Sequence, residues 1–309
     1  KDGELAIVAA LHGPKVTNRK GWAVPLIVPD EVRIQSLTPI RSGWIAAGDQ
    51  PVGGHRDLYL RLLDAGGLKR LPTPAFQEYP LRTAPLVLSR DGRVEGLVWL
   101  EGWNRDALRV RASRWLGITW SRPMEITVEG APGALALDAT QLADGSWLLV
   151  WAGFDGEDDE IYTSLVIGES FTEPVPLTAN DVPDIVPTVA AVGEHTLLAW
   201  NQYDGEEYRV VVSRLVEGRW SEPRPEPAGT FDPLFTLQDG VPSLLFLSLG
   251  ETGGVWHLHE IGPEGEIVRR GSVPAISNQR PLVRTIDGEA RLEWAGGVDR
   301  RPVAWEADS

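Results

Sequence analysis

Short apolar runs separated by turn residues recur along the whole chain, and their order is the most informative feature of the sequence. From Asp184 to Val192 the chain is apolar and extended, Thr196 to Trp200 is apolar again, Tyr208 to Ser213 alternates, and Gly218-Arg-Trp220-Ser-Glu-Pro223 closes the unit. Tyr203-Asp-Gly-Glu206 separates the second run from the third. The same order recurs in Ala134 to Ala143, Trp147 to Trp151, Ile161 to Ser164 and Gly168 to Pro174, with Phe154-Asp-Gly-Glu157 as the turn. One unit earlier it recurs in Pro85 to Ser89, Gly96 to Trp99, Leu108 to Ser113 and Gly117 to Pro123. Four short strands repeated about every 50 residues are the pattern of a β-propeller blade. No stretch carries the periodicity of an amphipathic helix.

Aromatic residues in the second strand give the repeat a ruler: Trp44, Trp99, Trp151, Trp200, Phe246 and Trp294, at steps of 55, 52, 49, 46 and 48 residues. From Trp294 through both ends to Trp44 is a further 59 residues. The expectation is one domain over residues 1–309, a six-bladed β-propeller of four-stranded blades. Gly21-Trp-Ala-Val-Pro25 reads as a fourth-strand ending without a blade before it, and the last unit, Pro281 to Trp305, lacks such an ending. Strands from both termini are therefore expected to close the ring and remove a free sheet edge. The repeated aromatics are expected to fill the space between successive sheets. Trp103 and Trp115 fall outside the repeated positions and are the better candidates for surface contact.

Composition narrows the function. A formal net charge of −15 argues against a nucleic-acid backbone or an anionic membrane as partner, since both demand a basic face. The longest nearly uncharged apolar stretch, Val241 to Gly250, is far short of the roughly 20 residues that span a bilayer. The absence of cysteine excludes disulfides and thiolate metal sites. The sequence starts at Lys1 and its one methionine is Met124, which sets the expectation of an exported, extracytoplasmic protein, periplasmic or secreted.

The turns between third and fourth strands carry a resemblance. Ser113-Arg-Trp-Leu-Gly117-Ile-Thr-Trp120 fits the Asp-box pattern Ser-x-Asp-x-Gly-x-Thr-Trp at every position but the aspartate, Ser164 to Phe171 fits the frame with Phe for Trp, and Ser213 to Trp220 fits with the glycine displaced by one. In this the chain resembles the sialidases and bacterial-neuraminidase-repeat proteins. The resemblance implies a propeller in which the Asp-box stabilises each blade. It also implies three arginines gripping a sialic-acid carboxylate, a tyrosine nucleophile paired with a glutamate, and an aspartate acid/base. The family places that tyrosine late in the chain, whereas this sequence has none after Tyr208.

In a propeller, the approaches to the innermost strand and the turns between second and third strands surround one mouth of the central channel. Residues expected there are Arg82, Asp184, Tyr203, Asp204, Asp232 and Arg280, with Asp138, Asp181, Glu157 and Glu206 nearby. Arg82 and Arg280 are expected to point inward among the carboxylates, to pair with them or to receive an anionic ligand. Asp155, Asp158 and Asp159 in the acidic turn form a candidate set for a hard cation such as calcium; no other cofactor is expected. His257-x-His259 places two imidazoles on one strand face without an identifiable third ligand. The expected function is a non-catalytic propeller binding a glycan or a protein partner, as a subunit of a surface or membrane-associated assembly. The alternative is a sialidase-like glycoside hydrolase using the mouth carboxylates.

Overall fold

The computed structural model describes residues 5–10, 13–18, 23–25, 31–64, 66–75, 79–127, 133–238, 241–250, 253–262, 265–276, 281–286, 289–293 and 300–306. The protein is all-β: the one helical element among the described residues is a 3-10 turn, Arg105–Ala107, capped by the Asn104 side chain. The chain forms two compact units, one of residues 1–7, 12–141 and 145–179, the other of residues 8–11, 142–144 and 180–309.

The first unit contains three antiparallel meanders. Arg33–Ile40, Gly43–Val52, His55–Asp64 and Gly67–Arg70 form the first; Leu81–Arg90, Arg93–Gly102, Leu108–Arg114 and Met124–Glu125 form the second. A single parallel pair, Arg56 with Leu81, links them into one eight-stranded sheet. Ala134–Gln141, Trp147–Phe154 and Asp159–Ile167, edged by Ser170–Phe171 and Val175–Pro176, form the third. The second unit repeats the plan twice, over residues 184–225 and 230–274.

Among the described residues the two ends pair locally. Leu5–Ala10, Gly13–Asn18 and Ala23–Pro25 make a three-stranded sheet of their own, and Leu282–Ile286, Glu289–Glu293 and Arg300–Pro302 make another. Ala304–Trp305 pairs instead with Ile267–Pro274 of the preceding sheet. Among the described residues no sheet closes on itself.

The second strand of each meander is apolar on both faces because a sheet packs on either side of it. Trp99 packs with Ile45, Ala47, Leu58 and Leu60 of the previous sheet. Its neighbours Val98 and Leu100 face the other way, toward Trp147, Leu149 and Trp151 of the next. In the second unit Phe246 packs with Leu197, Ala199 and Val210. Trp200, whose indole is also fully buried, lies in register beside Val211. The ruler needs one correction, and its last mark, Trp294, lies outside the described residues. Trp44 pairs with Pro39 beside the first turn and is only half-buried, whereas Ala47 occupies the place of Trp99. Small Ala47 is tolerated because Trp99 and Trp120 fill the same cluster.

Two polar devices recur between the strands. Ser113, Ser164 and Ser213 each donate to the carbonyl oxygen eight residues on, of Ser121, Thr172 and Ser221, at 2.8 Å in every case. The hydroxyls of those three residues in turn accept the amides of Arg114, Leu165 and Arg214 at 2.9, 2.9 and 3.1 Å. This reciprocal clasp closes the turn whose Asp-box aspartate is missing. Gly117, Gly168 and Gly218 supply the positive φ it needs, at 95°, 61° and 76°. The second device is a buried threonine beyond the fourth strand. Thr127, Thr178 and Thr230 accept the amides of Val110, Ile161 and Val210 at 3.2, 2.8 and 2.9 Å.

Replacing Thr178 by the near-isosteric valine leaves the buried Ile161 amide without its acceptor. The expected loss is about 1–3 kcal/mol, read as a lowered denaturant midpoint. An unchanged midpoint would show that the latch contributes nothing.

Candidate functional site

The residues expected around the channel mouth are distributed over both units. In the first, Arg82 is buried, with its guanidinium 3.2 Å from Asp57 and 3.3 Å from Glu101, and it donates to the Pro74 carbonyl at 3.1 Å. Glu101, opposite Arg82 in register, also accepts the Trp99 indole N–H at 2.9 Å. In the second unit, Asp184 lies opposite Gln202 in the corresponding place and accepts from the Trp200 indole at 2.7 Å, Gln202 at 3.1 Å and Asn180 at 2.7 Å. An indole N–H pressed against the sheet needs a buried acceptor, and the carboxylate comes from the second strand in one sheet and from the first strand in the other.

The turn residues have local partners. Asp204 accepts the amides of Glu206 and Glu207 and pairs with Arg209. The Tyr203 ring lies 5.0 Å from Tyr208. Asp232 adopts positive φ, and its amide donates to Asn201 Oδ1 at 3.0 Å. Arg280 lies outside the described residues.

The acidic turn after Phe154 differs from its expected ligand set. The carboxylate that gathers with Asp155 and Asp158 is Glu160, with ligand atoms within 4.8 Å of one another, and not Asp159. Strand alternation explains the exchange, since residues 158 and 160 share a face that residue 159 does not. Asp155 Oδ1 already accepts the amides of Glu157 and Asp158, the same turn that Asp204 makes. Burial and then the charge of Asp158 raise the Asp159 pKa. Of the two non-repeat tryptophans, Trp103 is 70% exposed, whereas Trp115 packs edge-on against Trp120 at 4.8 Å.

A different place in the second unit collects more chemistry. Val241–Gly250, Gly253–Ile261 and Ile267–Pro274 run antiparallel, with Phe246 opposite His257 and His259 opposite Arg270. Because side chains alternate along a strand, Phe246, Ser248, His257, His259 and Arg270 share one face. Arg224–Pro225 brings Glu226 against it, and the amide of Glu226 donates to the Val210 carbonyl at 2.7 Å. Glu306 follows Ala304–Trp305 and donates its amide to the Arg270 carbonyl at 2.9 Å. Together these residues line a cavity of about 680 Å³.

Inside it, the His257 ring stacks on Phe246, centroids 4.9 Å apart and planes 12° from parallel, and His257 Nε2 hydrogen-bonds Ser248 Oγ at 2.8 Å. His259 meets Phe246 edge-on, and its buried Nδ1 looks across 3.5 Å to Glu226 Oε1. Burial alone works to raise the Glu226 pKa; the His259 imidazole, then Arg270 and His257, overcome it and hold the carboxyl below its ordinary value. Burial first, and then His259, push the His257 pKa down, with Glu226 and Glu306 opposing.

This cavity lies where the repeat breaks. Register places Ser113, Ser164 and Ser213 in the position held here by His259, so the clasp serine has become an imidazole. The aromatic of the second strand has changed from Trp to Phe, and the His257 ring stacks on it as Tyr162 stacks on Trp151. Sequence reasoning had found the histidine pair but missed Glu226, Arg270 and Glu306, which arrive from separate segments. The legible signal was a histidine where three other units carry the serine of the Ser-x7-Ser/Thr spacing; the first meander lacks that serine too, with Leu62 in its place.

No protein-family model and no curated protein matches the chain. Solved structures do. A lectin, BP39L from Burkholderia pseudomallei, superposes at a TM-score of 0.61 with 16% identity, covering 98% of this chain and 91% of its own. A Dyadobacter fermentans protein of unknown function superposes at 0.60 with 10% identity, covering 90% and 94%. Trypanosoma rangeli sialidase superposes at 0.50 with 11% identity; it covers 99% of this chain, which spans 59% of the sialidase. At these identities the likeness is one of fold, of propeller type.

Two outcomes are expected. Arg82→Ala leaves Glu101 buried without its guanidinium and costs about 3–5 kcal/mol, measured by chemical denaturation; a loss near zero would show that the pair holds nothing together. His257 has a folded pKa below its ordinary 6.5, so between the two values the unfolded chain carries the extra proton. The stability it contributes is therefore whole above pH 6.5 and declines as the pH falls through the folded value. Glu226 adds to the decline further down, below its ordinary 4.5. His257→Gln should flatten the fall in melting temperature between neutral pH and pH 5, and an identical slope in the variant would remove His257 as the cause.

Proposed function

We propose that this chain is a non-catalytic, sugar-binding β-propeller of six four-stranded blades in a single domain, with strands from both ends completing the sixth, and that its glycan site is the cavity between Glu226 and His257. The observation that carries the reading is the pocket itself. It sets an imidazole on a phenylalanine floor and surrounds it with a hydroxyl, two carboxylates and a guanidinium, at the one described sheet where a serine clasp has given way to histidine. A sugar presents an apolar ring face with hydroxyls at its edge, and a few placed polar groups around an apolar wall are what such a ligand requires. The similarity in fold to a lectin supports the same reading.

The glycoside-hydrolase alternative would use the mouth carboxylates. Asp184 is fully buried and accepts from three side chains, which ties it to the support of Trp200. Export belongs to the proposal, as does membership of a surface assembly, and cell fractionation of the native protein tests the first.

A panel of immobilised saccharides read by surface plasmon resonance tests the function. The full chain should bind at least one sugar with an affinity that falls tenfold or more in His257→Ala and Ser248→Ala, each variant being checked for its fold by circular dichroism. Turnover of chromogenic glycosides that disappears in Asp184→Asn or Glu226→Gln would replace the binding reading with the hydrolase.

A further inference from the structure

We infer that the cavity selects a neutral, hydroxyl-rich sugar residue and rejects an acidic one such as sialic acid; this rests on the reading of the cavity as a sugar site. The argument is one of charge and donors. A planar carboxylate on a ligand is best gripped by paired guanidinium groups. The cavity offers one, Arg270, and sets two carboxylates beside it, Glu226 and Glu306. Arg270 already acts on Glu226, and the Glu306 backbone is bonded to the Arg270 carbonyl, so both acids share the surroundings of that single cation. The two histidines do not reverse the balance. His257 is held toward its neutral form and has Nε2 engaged by Ser248, and His259 faces Glu226.

An acidic ligand entering here meets two carboxylates of its own sign in a partly buried space, where charges are poorly screened. The chain's net charge of −15 opposes its approach as well. For a neutral sugar the same groups are assets. A carboxylate accepts from two neighbouring hydroxyls at once, Arg270 donates to a ring or hydroxyl oxygen, and the outer face of the His257 imidazole, backed by Phe246, receives the apolar side of the ring.

The test compares neutral probes with acidic counterparts, immobilised galactose against galacturonic acid, and lactose against sialyl-lactose, with glucosamine as a cationic control. The neutral member of each pair should bind at least tenfold more tightly than the acid. In Glu306→Gln, at an exposed position and with the fold checked by circular dichroism, that ratio should shrink at least threefold. Equal or tighter binding of the acids, a ratio unmoved by Glu306→Gln, or glucosamine bound tenfold more tightly than galactose each overturns the inference and leaves the sugar-site reading standing. Failure to bind any saccharide in the panel overturns that reading and the inference with it.

Discussion

The described fold depends on burying both faces of each second strand. Sheets of this kind are small, and none has a core of its own; Val98, Trp99 and Leu100 are each fully buried only because one sheet covers the odd position and another the even ones. Each sheet is therefore stabilised by its neighbours, roughly as in other repeat architectures, where interface terms carry much of the energy. Large aromatics suit the task because they fill wide gaps between twisted sheets, and removing one fully buried ring costs about 3–5 kcal/mol. The constraint has a polar corollary. Burying an indole also buries its N–H, and for Trp99 and Trp200 a carboxylate is buried next to it as acceptor.

That corollary explains why acidic residues near the start of the innermost strands are ambiguous in sequence. Asp184 and Glu101 sit in different strands and look unrelated, yet each accepts an indole N–H at the same level of its sheet. Arg82 follows from the choice made in its sheet, because the acid there sits on the second strand and the first strand is left to neutralise it. In the 230–274 meander the aromatic is Phe246, which has no N–H, and the paired places are taken by Thr230 and Ser248. The need for a buried acid at that level disappears with the indole. The face is then open to other polar groups.

Much of the strand order was legible in the sequence, because alternation and turn residues are local signals. The turns Phe154-Asp-Gly-Glu157 and Tyr203-Asp-Gly-Glu206 fold alike, each aspartate accepting the amides two and three residues on. The ruler slipped at Trp44 because a tryptophan near a turn and one at the centre of a strand look the same until register is known. Glu160 was passed over for Asp159 for a similar reason, since the face of a residue depends on where its strand begins. The cavity was the least legible part. Glu226, His257, Arg270 and Glu306 span most of the second unit's length, and nothing in their spacing announces that pairing brings them together.

The clasp and the latch show what kind of departure deserves a functional reading. Three of the five described meanders satisfy the turn with the same serine and the same following Ser or Thr; the first has Leu62 in the serine's place, and only the 230–274 meander puts a polar ring, His259, there. Such a loss is sustained when something is gained at the same site, and the gain here is a ring with two nitrogens in front of a carboxylate. The neighbouring second-strand aromatic is phenylalanine, on which His257 stacks much as Tyr162 stacks on Trp151. The place opposite the second-strand aromatic varies from sheet to sheet, with Arg111 beside Trp99, Tyr162 beside Trp151 and Val211 beside Trp200, and His257 fills it here next to a second imidazole and a carboxylate.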